Sequence, residues 1–63
     1  MVSIEELGLS PKVTNVLIRN GVNTLEDLKN VTEEDVIYRF TNFGRKSLEE
    51  LLEKMKELGI HFK

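Results

Sequence analysis

The chain has 63 residues, a formal net charge of −2 at pH 7 and no cysteine. This length predicts one domain, 1–63, near the smallest size that a hydrophobic core stabilises alone, and neither a disulfide nor a thiolate metal site can reinforce it. With 40% hydrophobic and 32% charged residues, the composition is that of a globular protein and excludes a disordered one.

The first main helix is predicted to run from about Pro11 to Asn20. Ser10 can cap its start, and proline suits the first helical position because it has no N–H to leave unpaired. Gly21 is a typical helix stop. At about 100° per residue, one side of this helix is apolar and another is a polar stripe of Lys12, Asn15 and Arg19.

Two short helices are expected next. Thr24 and Asp27 have the spacing of a capping box and predict a helix that carries Leu25 and Leu28. The segment Thr32-Glu33-Glu34-Asp35 predicts another helix start, since its acids suit the helix dipole, with Val36 and Ile37 turned inward.

The last helix has the clearest periodicity and ends at Gly59. Its apolar positions are expected to face the core and follow the spacing i, i+3, i+4, i+7, i+10, namely Leu48, Leu51, Leu52, Met55 and Leu58. The opposite side is charged, and Glu50–Lys54 and Glu53–Lys56 are spaced to pair. No window alternates as a strand would. The predicted fold class is therefore all-α, a compact bundle of about four to five short helices with motifs that resemble a helix-hairpin-helix.

The turn Thr41–Ser47 opens this last helix and is the main functional signal. A helix start has unpaired N–H groups and the positive end of the dipole, so it attracts anions. Gly44 allows a close backbone approach, and Arg45 and Lys46 add charge. The expected anion is a phosphate of nucleic acid. The alternative is that Gly44 only shapes a tight turn and that the cations are solvated.

A weak internal repeat joins this turn to the first helix. The segments 11–22 and 42–60 each contain a start signal, cations, an apolar-faced helix, a glycine and a β-branched residue. Two such halves predict a pair of helical hairpins whose helix starts face one side. The alternative is that caps and glycine stops recur in any small helical protein.

The aromatic residues favour duplex DNA over unpaired nucleic acid. Only Tyr38, Phe40, Phe43 and Phe62 are aromatic, and they form no evident platform for stacking bases. Phe43 is expected to pack into the core and hold the hairpin turn against it, because buried aromatic side chains usually serve packing.

No enzymatic or membrane-associated signature is present. The sequence lacks a Ser–His–Asp set, an HExxH motif and a phosphate loop, and its single histidine, His61, has no second histidine beside it for a metal site. We therefore expect no catalytic residue, metal or cofactor. Apolar runs of two or three residues exclude a membrane span, and the start is not a signal peptide, so a cytoplasmic location is expected.

Taken in order, four segments resemble the C-terminal domain of the bacterial RNA polymerase alpha subunit: Leu9–Leu17, Gly21–Leu28, Thr32–Asp35 and Asn42–Glu50. The likeness extends from about Ile4 to Ile60. Asn-Phe-Gly-Arg-Lys-Ser-Leu is its most specific part, because simpler helix-hairpin-helix signatures also occur in repair nucleases and ligases.

The resemblance implies a domain that docks in the minor groove of A·T-rich upstream promoter DNA. Transferred by position, its DNA contacts are Lys12, Asn15, Gly44, Lys46, Ser47 and Glu50, to which the turn itself adds Arg45. A narrow A·T minor groove has an enhanced negative potential that attracts cationic side chains. Lys12 stands where the family usually has arginine, so the planar fork is missing. One extra residue between Thr32 and Gly44, in the region 38–41, is expected to alter the placement of the hairpin.

The resemblance also implies contacts with other proteins. Glu5 and Glu6 lie near the segment that faces the sigma factor in the family, although Gly8 stands where an acidic residue is common. An activator-facing patch corresponds to Thr32, Glu33, Glu34 and Asp35. Read without the family, these are acids that helix starts favour. An isolated domain is expected to be monomeric.

The leading hypothesis is thus a non-catalytic, transcription-related domain that binds double-stranded DNA and contacts a sigma factor or regulators, either as part of a polymerase subunit or free-standing. One alternative is a protein-interaction module of the same fold with weak or no DNA binding. Another is the DNA-docking appendage of a repair enzyme, which would bind without A·T preference.

Overall fold

The computed structural model describes all 63 residues and contains five helical elements. In sequence order they are the 3-10 helix Ile4–Leu7, the α-helices α1 (Pro11–Arg19) and α2 (Leu25–Lys29), the π-helix Asp35–Arg39 and the last α-helix, α3 (Arg45–Leu58). The only extended pairing is an isolated antiparallel bridge between Ser3 and Thr24. The predicted all-α fold class is confirmed. None of the helices combines the length and apolar character needed to cross a lipid bilayer.

The helix starts follow the local signals in the sequence. Ser10 Oγ accepts the N–H of Val13 at 3.3 Å and caps α1. Thr24 and Asp27 exchange hydrogen bonds as a capping box, with the hydroxyl accepting at 3.0 Å and the carboxylate at 3.2 Å. A further box, between Ser3 and Glu6, starts the 3-10 helix, which is absent from the sequence prediction.

One hydrophobic cluster occupies the interior, and every helix contributes to it. Ile4, Leu17, Leu28 and Leu51 are completely buried. Helix α1 packs against both α3 and the 3-10 helix. The C-terminal tail closes one side, because the N–H of Lys63 donates to the carbonyl of Val31 at 2.9 Å and holds the tail against the core.

Three apolar positions predicted to be internal are exposed. Ile37 is 53% exposed, whereas its neighbour Val36 is 2% exposed and takes the inward position of the π-helical turn. Leu52 and Leu58 are each 42% exposed. The buried apolar residues of α3 are Leu51 and Met55, and the other elements leave the edges of its apolar stripe uncovered.

Neither ion pair predicted on α3 is formed. Lys54 Nζ lies 3.3 Å from Glu57 instead, at spacing i, i+3. The carboxylate of Glu50 is occupied by a tertiary hydrogen bond from the N–H of Ser10. The prediction considered only partners on the same helix, whereas the packing of α1 on α3 supplies a nearer donor.

Candidate nucleic-acid interface

The starts of α1 and α3 are joined directly. The N–H of Ser10, which caps α1, donates to Glu50 Oε2 in the second turn of α3 at 2.6 Å. Charged acceptors form short, strong hydrogen bonds, and a carboxylate is also favourable beside the positive end of a helix. This contact sets the spacing between the two helix starts that the sequence predicts to act together.

An open groove of about 810 Å³ runs between α1 and the hairpin that precedes α3, residues 40–44. It contains the predicted DNA contacts Lys12, Asn15 and Gly44, and its full lining is Lys12, Asn15, Val16, Arg19, Phe40, Asn42, Phe43 and Gly44. No acidic residue lines this groove, although the protein has 11 aspartates and glutamates against 9 lysines and arginines. Charge is therefore segregated locally, and the groove favours an anion.

The start of α3, beside this groove, has free hydrogen-bond donors. Gly44 is the N-cap and supplies no side-chain acceptor. The first N–H with a partner is that of Leu48, which donates to the Gly44 carbonyl at 3.0 Å, so the N–H groups of Arg45, Lys46 and Ser47 have no acceptor within the protein. Such a start is a suitable binding site for phosphate oxygens.

The conformation of Gly44 argues against the turn-only alternative. Its φ is −86° and its ψ is −179°, which any residue adopts, and a Cβ placed there meets no atom within 4 Å. Asn42 carries the left-handed conformation of the hairpin, with φ 57°. The fold therefore does not require glycine at position 44, whereas the close approach of an external backbone would.

The remaining predicted DNA contacts differ in how well they are presented. Lys12, Asn15, Arg45 and Lys46 are exposed. Arg45 Nε lies 3.9 Å from Glu49 in a fully solvated pair, which leaves its charge accessible. Ser47 is only 5% exposed, so it is the least accessible of the predicted DNA contacts. Glu50 is half-buried and engaged with Ser10.

Two contacts that the sequence analysis missed hold the hairpin against α1. Asn20 Oδ1 accepts the N–H of Thr41 at 3.2 Å, and Asn20 Nδ2 donates to the carbonyl of Thr41 at 3.4 Å. Phe40 and Phe43 meet edge to face, with ring centroids 5.9 Å apart. Phe43 packs against the core as predicted. An asparagine at a helix end reads as a local cap, so the sequence carries no signal of this long-range role.

The π-helix Asp35–Arg39 overlaps the region 38–41, where the sequence analysis places one extra residue relative to the family. The N–H of Phe40 donates to the carbonyl of Asp35 at 2.9 Å, five residues back. Such a turn holds one more residue than an α-helical turn. The hairpin beyond it still brings Gly44 into one groove with Lys12 and Asn15.

The predicted protein-contact residues fall into two groups. Glu5, Glu6, Glu33 and Glu34 are exposed, whereas Thr32 and Asp35 are half-buried and bond to each other, with the N–H of Thr32 donating to Asp35 Oδ2 at 3.2 Å. This backbone hydrogen bond, with help from the guanidinium of Arg39 and against a smaller effect of burial, lowers the pKa of Asp35 below its ordinary value of 3.8. No group of three or more histidine, aspartate or glutamate side chains is arranged so that it could hold a metal ion.

The sequence matches a known family over most of its length. The matching family model describes the C-terminal domain of the alpha subunit of bacterial RNA polymerase, and it covers residues 1–57. Two similar proteins are the DNA-directed RNA polymerase subunits alpha of Desulfitobacterium hafniense strains DSM 10664 / DCB-2 and Y51, each 51% identical over 61 residues. The match covers 97% of this chain and 19% of each relative, so the chain spans about a fifth of their length.

These matches agree with the resemblance in the sequence and with the all-α fold, and they give the chain a transcription-related role. The family model covers the 3-10 helix, the π-helix and the hairpin, together with nearly all of α3. The chain belongs to the family of C-terminal domains of the bacterial RNA polymerase alpha subunit.

Proposed function

We propose that this chain is a non-catalytic domain that binds double-stranded DNA by docking in the minor groove of A·T-rich upstream promoter sequences, in the cytoplasm. It would act as part of a polymerase alpha subunit or as a free-standing relative. The observation that carries the proposal is that Lys12 and Asn15 line one acid-free groove with Gly44, although almost half of the sequence separates these positions.

Backbone phosphates are the first element of the proposed recognition. The unpaired N–H groups of Arg45, Lys46 and Ser47 point out of the start of α3, and Gly44 leaves room for a phosphate to approach them. The side chains of Arg45 and Lys46 add two charges. Contacts of this kind position a protein on DNA and carry no sequence information directly.

The preference for A·T pairs is assigned to the start of α1. Lys12 and Asn15 are exposed one turn apart on the same side of the helix. Minor-groove readout distinguishes mainly A·T from G·C pairs, and the narrow groove of A·T-rich DNA attracts cations by its shape. Lysine supplies the charge without the planar fork of arginine, so we expect moderate selectivity.

The test is a titration of the protein against A·T-rich and G·C-rich duplexes of equal length over a series of salt concentrations. Lys46→Ala should lower the slope of log affinity against log salt by about 0.9, the value for one lost phosphate contact. Lys29→Ala is the matched control, because Lys29 is exposed at the end of α2 and belongs neither to the groove nor to the start of α3. An unchanged slope for Lys46→Ala would show that the assigned surface is wrong.

Protein contacts with a sigma factor and regulators form the second part of the proposal. They are assigned to two exposed acidic pairs, Glu5 with Glu6 and Glu33 with Glu34, supported by Thr32 and Asp35. Replacing either pair by glutamine should weaken binding to the sigma factor or regulator and leave duplex binding unchanged. If the unmodified protein binds these partners but no duplex at low salt, it is an interaction module that lacks DNA binding.

A further inference from the structure

The groove extends beyond the contacts that the family resemblance assigns. Arg19 also lines it, seven positions after Lys12. At about 1.5 Å per residue, the two cations are about 10 Å apart along α1. Arg19 is exposed and forms no ion pair or side-chain hydrogen bond, whereas Arg39 is paired with Asp35.

The opposite wall of the groove contributes Asn42. Its φ of 57° is unusual for a residue other than glycine, and its exposed side chain forms no hydrogen bond within the protein. An amide group both donates and accepts hydrogen bonds. The groove thus offers a guanidinium on α1 and a free amide on the hairpin, and neither is used by the fold.

The more deeply buried part of the lining is apolar. Val16 is 6% exposed, and Phe40 and Phe43 are half-buried and packed against the core. A small free anion has no use for an apolar floor between two polar walls. A sugar–phosphate strand matches both parts, since its deoxyribose rings are largely apolar and its phosphates accept hydrogen bonds from cations and amides.

We propose that the groove holds a sugar–phosphate strand of the duplex and that Arg19 and Asn42 are backbone contacts in addition to those at the helix starts. This inference rests on the proposed DNA-binding function and specifies which part of the DNA occupies the groove. Arg19 contributes affinity without base preference, because phosphate contacts do not depend on sequence. The contacts with one DNA strand then extend along α1, from Lys12 near its start to Arg19 in its last turn.

The experiment compares Arg19→Gln with Arg39→Gln in the same salt series, on A·T-rich and G·C-rich duplexes. Both arginines are exposed and lie in the last turn of a helix, and both changes remove one positive charge, but only Arg19 lines the groove. Arg19→Gln should lower the salt slope by about 0.9 and weaken both duplexes by the same factor. Arg39→Gln should leave the slope unchanged, and Asn42→Ala should weaken both duplexes without changing it.

Other outcomes overturn the inference in distinguishable ways. If Lys46→Ala lowers the slope and Arg19→Gln does not, DNA binding stands and the groove is not a contact. If Arg19→Gln and Arg39→Gln lower the salt slope equally, Arg19 acts only through its long-range charge and does not contact the DNA. If the unmodified protein shows no salt-dependent duplex binding, the proposed function and this extension both fail. Thermal unfolding of each variant verifies that the loss is not caused by misfolding.

Discussion

Ser10 and Glu50 are 40 positions apart in the sequence, yet the N–H of Ser10 donates to Glu50 Oε2 at 2.6 Å. Ser10 is the N-cap of α1, and Glu50 lies in the second turn of α3. Helix caps usually satisfy N–H groups within their own helix. Here one cap residue also uses its N–H to fix the distance between two helix starts, and the proposed DNA-binding surface depends on that distance.

Glu50→Ala should reduce the free energy of unfolding by about 1–2 kcal/mol, since a half-buried hydrogen bond to a charged acceptor is lost. Glu50→Gln should cost less, because the amide oxygen can still accept from Ser10. Glu49→Ala should change stability by no more than about 0.5 kcal/mol, as expected for an exposed position. Urea unfolding measures all three variants. Equal losses for Glu49→Ala and Glu50→Ala would contradict the role assigned to the tertiary contact.

Asn20 should stabilise the hairpin without touching DNA. Asn20→Ala removes both contacts with the backbone of Thr41 and the bond from Asn20 Nδ2 to the Val16 carbonyl at 2.8 Å, and it should cost about 1–2 kcal/mol of unfolding free energy. It should also speed hydrogen exchange at the Thr41 amide and weaken duplex binding. Asn30→Ala is the control, because the Asn30 side chain bonds only to the nearby carbonyl of Glu26. If Thr41 exchanges at the same rate in both variants, Asn20 does not position the hairpin.

Gly44→Ala should separate binding from folding. Its φ is ordinary and its surroundings are open, so stability should change by no more than about 1 kcal/mol. Alanine is a weaker N-cap than glycine, which lowers stability, but it also restricts the unfolded chain, which raises stability. Gly59→Ala is the opposite case. Gly59 has a φ of 71°, and an alanine forced into this left-handed conformation should lower the free energy of unfolding by at least about 1 kcal/mol. Duplex affinity should fall for Gly44→Ala and remain for Gly59→Ala. Undiminished affinity in Gly44→Ala would show that no phosphate approaches position 44.

Asp35 should make the fold sensitive to acid. The hydrogen bond from the Thr32 N–H lowers the pKa of Asp35 in the folded state, so the unfolded state takes up the proton first as the pH falls. Its stabilising contribution is present above the ordinary value of 3.8 and is lost as the pH falls through the lower folded value. Asp35→Asn keeps an acceptor for Thr32 and should flatten this part of the stability curve.

The measurement is urea unfolding at a series of pH values from neutral down to the acid limit. Glu34→Gln serves as the control, since Glu34 is exposed and its side chain forms no hydrogen bond. Its curve should follow that of the unmodified protein. The prediction fails if Asp35→Asn and the unmodified protein lose stability in parallel below the ordinary pKa of the carboxyl group.

Local patterns were enough to predict most of the helices. Ser10-Pro11, the box of Thr24 with Asp27 and the stop at Gly59 act within one turn of the backbone, so their spacing in the sequence is their spacing in space. The 3-10 helix was missed because four residues give too short a period to recognise, although the box of Ser3 with Glu6 marked its start. Ile37 was placed inward together with Val36, although adjacent side chains on a helix point in different directions and only Val36 is buried.

By itself, the sequence determined the helical fold class, the family, and the residues whose charge and spacing suit DNA. Only the tertiary structure decided that Arg19 and Asn42 share a groove with Lys12, that Ser47 turns inward and that Glu50 bonds to Ser10. Caps and apolar stripes are interactions between near neighbours, which the order of residues specifies directly. A groove forms between distant segments, and its lining depends on how whole helices pack around one core.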